Sequence, residues 1–133
     1  MSNEDLGGPK NEYFVLLRDS PQYKRTVLDW YANQWGKDFS DMYSNDDVNN
    51  SIWVLTLNDT PIACAGLFKN DMTSHPEFKP WLGGVYVHKD YRNQGYGIRM
   101  VSYVEMVATL RGIKQLWLYT YASINFYLKK FSY

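Results

Sequence analysis

Apolar positions along the chain switch between strand-like and helical spacing, and each switch marks an element. In "EYFVLLRD", residues 12–19, aromatic and branched side chains run together without helical spacing, which predicts a strand closed by Ser20-Pro21. Tyr23, Val27, Trp30, Tyr31 and Trp35 then recur near i, i+3/i+4, i+7, so a helix follows, with Gly36 as its stop. The polar residues 37–50 predict a loop or a second short helix. "SIWVLTLN" and "PIACAGLF" are strand-like runs separated by Asn58, Asp59 and Thr60, with Pro61 opening the second, and they predict a hairpin. After the loop "NDMTSHPEFK" comes the strand "PWLGGVYV". Its Gly83-Gly84 pair is costly in a plain ladder and predicts a bulge or a close approach to the backbone.

Over residues 95–111 helical spacing returns in two apolar lines, Ile98, Val101, Val104, Ala108 and Met100, Tyr103, Met106, Leu110, which predicts a mostly covered helix. Gly112 ends it, "KQLWLYTY" reads as a strand and "ASINFYLKK" as a short helix with polar Asn125, Lys129 and Lys130. This order describes an α/β domain with a mixed sheet, read as a single domain over residues 1–133 whose residues 1–11 are expected to be flexible.

Composition narrows the function classes. The 14 basic and 14 acidic residues balance, and no basic run offers the footprint of a nucleic-acid binder. The first eleven residues, "MSNEDLGGPKN", are polar and hold neither an apolar signal-peptide core nor a membrane span, and Cys64 is the single cysteine, so a reducing cytoplasm is the expected setting. No Cys/His cluster has metal-ligand spacing, and no metal is expected.

The candidate chemistry lies in "VYVHKDYRNQGYGIRM", where a strand feeds the start of the long helix. Unpaired N–H groups and the helix dipole favour an anion there, and Gly95 and Gly97 leave room for close approach. The turn lacks the Gly-Lys-Ser/Thr of a P-loop, and Met100 occupies the third Gly position of a dinucleotide fingerprint. A phosphate or pyrophosphate fits it.

Arg92-Asn93-Gln94-Gly95-Tyr96-Gly97 resembles the Arg/Gln-x-x-Gly-x-Gly/Ala acyl-CoA signature of the GNAT superfamily of N-acyltransferases. "WYANQWG", "PWLGGVYV" and "LWLYTYASINFYLKKF" are similar to segments of small bacterial members, and the order of elements matches over residues 12–130. The resemblance implies a GNAT-like, mostly antiparallel mixed sheet with helices on both faces, and acetylation of a small-molecule or protein amine by acetyl-CoA. It implies the backbone of Val85, Tyr86 and Val87 along the pantetheine arm, and the N–H groups of Gln94, Gly95, Tyr96 and Gly97 on the pyrophosphate, with charge added by Arg92. It also implies Tyr127 as the general acid, since a phenol of pKa ~10 is able to protonate a thiolate whose conjugate acid lies near ~8.5.

The base is open: Asp71, acting through a water, is preferred over Glu77 and over His88 at the strand end. The sequence also departs from the family pattern. Thr120 stands where an Asn is usual, and Lys129-Lys130-Phe131-Ser132 replaces the usual Lys-Leu-Gly-Phe. The chain ends at Tyr133, where relatives continue into two further strands, so the expectation is a sheet lacking those two. The apolar edge of "KQLWLYTY" is then expected to be covered by a C-terminal segment beyond Tyr133 or by a second copy in a homodimer. A truncated, non-catalytic CoA-binding or protein-interaction module is the alternative reading.

Overall fold

In a computed structural model, residues 11–36, 50–68, 80–122 and 125–132 are described, those from 118 onward by backbone alone. The predicted elements on residues 1–10, 37–49 and 69–79 lie outside the described residues, as do Asp71 and Glu77. The strands are β1 (Glu12–Leu16), β2 (Ser51–Leu57), β3 (Thr60–Phe68), β4 (Trp81–Val87), β5 (Gln115–Ala122) and β6 (Asn125–Ser132). Helix α1 spans Lys24–Trp35 and α2 spans Tyr96–Leu110. They form one six-stranded sheet in sequence order, antiparallel throughout except for the parallel β4–β5 pair that α2 connects.

The sheet separates two cores. On one face α2 buries Tyr96, Met100, Val104 and Ala108, spaced by four, against Leu55, Ala63, Leu67, Leu82 and Leu116. On the other, α1 lays Val27, Trp30 and Tyr31 over Val54, Cys64, Phe68 and Trp81. Helices on both faces of a mixed, mostly antiparallel sheet were the sequence expectation, and the structure has them.

Local chemistry accounts for several boundaries. Asn58 and Asp59 take left-handed φ of 52° and 67° as a two-residue turn, the geometry that matches strand twist in a hairpin. Gly36, at φ 71°, closes α1 with its N–H on Ala32 O at 2.7 Å.

Four expectations are corrected. Strand β1 ends at Leu16 and residues Leu17–Asp19 form a 3-10 turn, because Leu17, 1% exposed, has to turn under α1 to be buried. α2 is covered along one stripe only, Tyr96, Met100, Val104 and Ala108 flanked by half-buried Val101, Tyr103 and Val107. Ile98, Met106 and Leu110 are exposed at 75%, 48% and 78%, because a single sheet face can cover only one stripe of a helix.

The predicted short helix at "ASINFYLKK" is instead strand β6, and the partner of β5 comes from within the chain. A helix this short gains few hydrogen bonds for the backbone it fixes, whereas β6 pairs with β5 from Gln115↔Ser132 to Ala122↔Asn125. The sheet therefore has a strand after β5 that the sequence reading did not contain, and the expected need for a partner chain along that edge disappears.

Candidate active site

Strand β4 carries the site because its two edges are treated differently. Along β3 the pairing is continuous except for one slip: Cys64 pairs with Tyr86 and Gly66 with Gly83, so Gly84 and Val85 together oppose Ala65. This is the bulge predicted from Gly83-Gly84. Along β5 only Trp81↔Trp117 and Leu82↔Leu118 pair, extended by the Trp117 N–H to Pro80 O bond at 3.1 Å. Beyond these pairs β4 and β5 part, and a gap opens between them.

Alternation decides which groups face the gap. The His88 N–H donates to Ile62 O at 2.8 Å, so His88 and, two residues earlier, Tyr86 direct their main-chain groups to β3. Val85 and Val87 then face the β5 side. Of the three residues expected along a pantetheine arm, the backbone thus offers Val85 and Val87 to the gap and Tyr86 to the ladder.

Gly84 is held from the far side of the sheet. Tyr31 Oη donates to Gly84 O at 2.8 Å, and Cys64 Sγ lies 3.5 Å from Tyr31 Oη and 3.7 Å from Gly84 O. Burial pushes the Cys64 thiol up to about 12, against the smaller opposing effects of hydrogen bonds with Tyr31 and the Tyr86 backbone. A thiol so placed is a core group and not a nucleophile.

At the end of β4 the chain makes a 3-10 turn, Lys89–Tyr91, capped by His88 Nδ1, which accepts from the Asp90 N–H at 3.1 Å. That bond gives His88 a strand-end capping role. Arg92 folds back so that its Nε donates to Val87 O at 2.8 Å and its guanidinium lies 5.3 Å from the Tyr86 ring centre. Arg92 thus occupies one of the gap-facing carbonyls of β4, a contact that no local sequence signal announces.

Asn93 at φ 63° and Gly95 at φ 87° then swing the chain into α2. The first helical bond is Arg99 N–H to Gly95 O at 3.1 Å, no described side chain caps the helix, and its first turn holds no acidic residue. The N–H groups of Tyr96, Gly97 and Ile98 are therefore without an intrahelical acceptor at a positive helix end.

The Tyr96 ring is buried and anchors the start of α2. A Cβ at Gly97 would lie 3.7 Å from Val87 Cγ2, so this first turn sits against the gap-facing end of β4. The site residues named from the signature are thus brought together, apart from Tyr127. Its backbone lies on β6 opposite Thr120, and its side chain lies outside the described residues.

Comparison with known proteins agrees with this architecture. Residues 14–133 match the model of the acetyltransferase (GNAT) family, and the chain belongs to that family. Among solved structures, a GNAT-family acetyltransferase from Staphylococcus aureus is 19% identical with a TM-score of 0.58, over 82% of this chain and 73% of that one. An aminoglycoside N-acetyltransferase solved with CoA is 12% identical with a TM-score of 0.63, over 86% of this chain and 80% of that one. A Mycobacterium tuberculosis protein solved with CoA is 15% identical with a TM-score of 0.61, over 80% of this chain and 64% of that one. At these identities the likeness is one of fold. Among curated proteins none matches. No described helix is long and apolar enough to cross a membrane.

Proposed function

We propose that the chain transfers an acetyl group from acetyl-CoA to a primary amine in the cytoplasm. In this reading the N–H groups of Gln94, Gly95, Tyr96 and Gly97 hold the pyrophosphate, and Val85 and Val87 hydrogen-bond the pantetheine amides in the β4–β5 gap. Arg92 adds charge through its terminal nitrogens. The observation that carries the reading is the gap: a sheet that opens after two residue pairs, lined by main-chain groups, with an uncapped helix start at its mouth.

The amine attacks the thioester carbon, a C–N bond forms, the C–S bond breaks and the sulfur leaves as a thiolate. Tyr127 is assigned to protonate that thiolate. Support comes from the resemblance of "NFYLKKF" to the family segment that carries such a tyrosine; the Tyr127 backbone itself lies on β6, one strand beyond β5, the second wall of the gap. Asp71, through a water, is assigned the proton lost by the amine. Neutral overall charge does not favour an acidic or a basic acceptor, and small-molecule and protein amines both fit.

Calorimetry with acetyl-CoA, followed by an amine panel read through free-thiol release, tests the reading. Binding with amine-dependent thiol release is expected. Binding without release by any amine would replace it with a non-catalytic CoA-binding module. Tyr127→Phe is expected to lower kcat about 100-fold with acetyl-CoA affinity retained, and an unchanged turnover number would remove Tyr127 from the chemistry.

A further inference from the structure

We propose that the Tyr31 hydroxyl is a positioning group: it locks the β4 bulge and so selects which main-chain groups of β4 face the gap. The role assigned to the gap rests on the proposed function, whereas the locking of the bulge does not. Upstream of the bulge, Trp81 packs in the core under α1 and Leu82 in the core under α2. Unbroken alternation would send Val85 to the α1 face and Tyr86 to the α2 face. The opposite is found: Val85 and Val87 pack on the α2 side and Tyr86 on the α1 side. The extra residue has reversed the parity of the strand, and with it the edge to which each N–H and C=O points.

What holds the extra residue is Tyr31, 53 positions away on α1. Gly84 sits at φ +61°, a conformation that turns its carbonyl out of both ladders and toward Tyr31 Oη at 2.8 Å. A Cβ at Gly84 would lie 2.6 Å from the same hydroxyl, so hydroxyl and glycine fit only each other. Tyr31 is 1% exposed and packed by Trp35, with ring centres 5.2 Å apart, so the donor cannot swing away. Without the hydroxyl, the part-buried carbonyl of a left-handed residue keeps only the longer contact from Cys64 Sγ at 3.7 Å, and the ladder regains by straightening. Straightening would present Tyr86 to the gap in place of Val85 and Val87.

Tyr31→Phe keeps the ring and removes the donor. Amide exchange in the unliganded variant is expected to accelerate about tenfold from Gly83 to Tyr86, while Met100 and Val104 in α2 keep their rates. Uniform acceleration across β4 and α2 would mean a merely structural role and overturn the proposal. Acetyl-CoA affinity is expected to fall about tenfold in the same variant and to be unchanged in Cys64→Ala, which leaves the Tyr31 contact in place. Equal losses in the two variants would also overturn it. If the wild-type chain fails to bind acetyl-CoA, the proposed function falls and the exchange result alone judges Tyr31. Should Tyr31→Phe not fold, the wild-type protein decides: a slowly exchanging Tyr31 hydroxyl proton is expected by NMR, and its absence refutes the lock.

Discussion

Gly84 and Gly95 both adopt left-handed backbone, at φ +61° and +87°, but their surroundings are opposite. At Gly84 an added Cβ would meet Tyr31 Oη at 2.6 Å and Tyr31 Cζ at 3.0 Å, whereas at Gly95 it would meet nothing within 4 Å among the described residues. One glycine is demanded by the protein's own interior and the other by the turn into α2, whose outer side is open. Gly97 makes a third case: its φ is ordinary and, among the described residues, a Cβ there would touch only Val87 Cγ2 at 3.7 Å, so the described fold does not ask for glycine. Under the proposed function, its reason is the close approach of a ligand from outside. The comparison therefore separates the inner face of the site, where changes should cost stability, from its outer face, where the proposed function expects them to cost binding.

Gly84→Ala should produce the largest effect, a loss of about 3 kcal/mol from left-handed strain and overpacking together. Urea denaturation measures it, and a loss below about 1 kcal/mol would break the assignment of Gly84 to the interior. Gly95→Asp should leave stability within about 2 kcal/mol, since Asp tolerates left-handed backbone better than most residues. Its carboxylate would nonetheless repel a pyrophosphate at the helix start. Acetyl-CoA affinity should fall at least about 100-fold by calorimetry, and wild-type affinity in a folded variant would sink the pyrophosphate assignment.

Cys64 extends the interior side of the comparison to pH. Its thiol titrates at about 12 in the folded chain against an ordinary 9.0. Below pH 9 neither state is ionised and the stability is fully present. As pH rises from 9 toward 12 only the unfolded chain loses this proton, so stability falls by up to about 1.4 kcal/mol per pH unit. The difference between wild type and Cys64→Ala across that window should show this slope, and parallel curves would contradict it. Smallest is Gly97→Ala, expected to raise stability by about 0.5–1 kcal/mol through helix propensity while weakening acetyl-CoA. A gain in stability with no change in affinity would mean that no ligand backbone contact needs Gly97.

Much of this site was legible because its signals are local. The Gly83-Gly84 bulge, the stop at Gly36, the hairpin at Asn58-Asp59 and the Gly95 entry to α2 each follow from conformations that few residues adopt. What the sequence hid depends on distance along the chain. Nothing near Tyr31 marks its bond to Gly84, and nothing in "KDYRN" marks Arg92 folding back onto Val87. The segment "NFYLKKFS" misled for another reason: its apolar residues suit a short helix or a strand alike, and the vacant edge of β5 decided between them. Ile98, Met106 and Leu110 show the same limit from the other side, since helical periodicity locates an apolar line without saying which line a sheet will cover.

The brevity of the β4–β5 junction also bears on cooperativity. Two residue pairs join a four-stranded leaf, β1 to β4, to the two-stranded leaf of β5 and β6. A two-stranded hairpin is only marginally stable by itself, so the smaller leaf leans on its seam and, among the described side chains, on Leu116 beneath α2 and Trp117 against the core beneath α1. Its seam is the shortest junction in the sheet, and the leaf forms one whole wall of the gap. Any molecule gripping both walls would act as a crossbar, merging two weakly coupled folding units into one and raising the melting temperature in proportion to its occupancy.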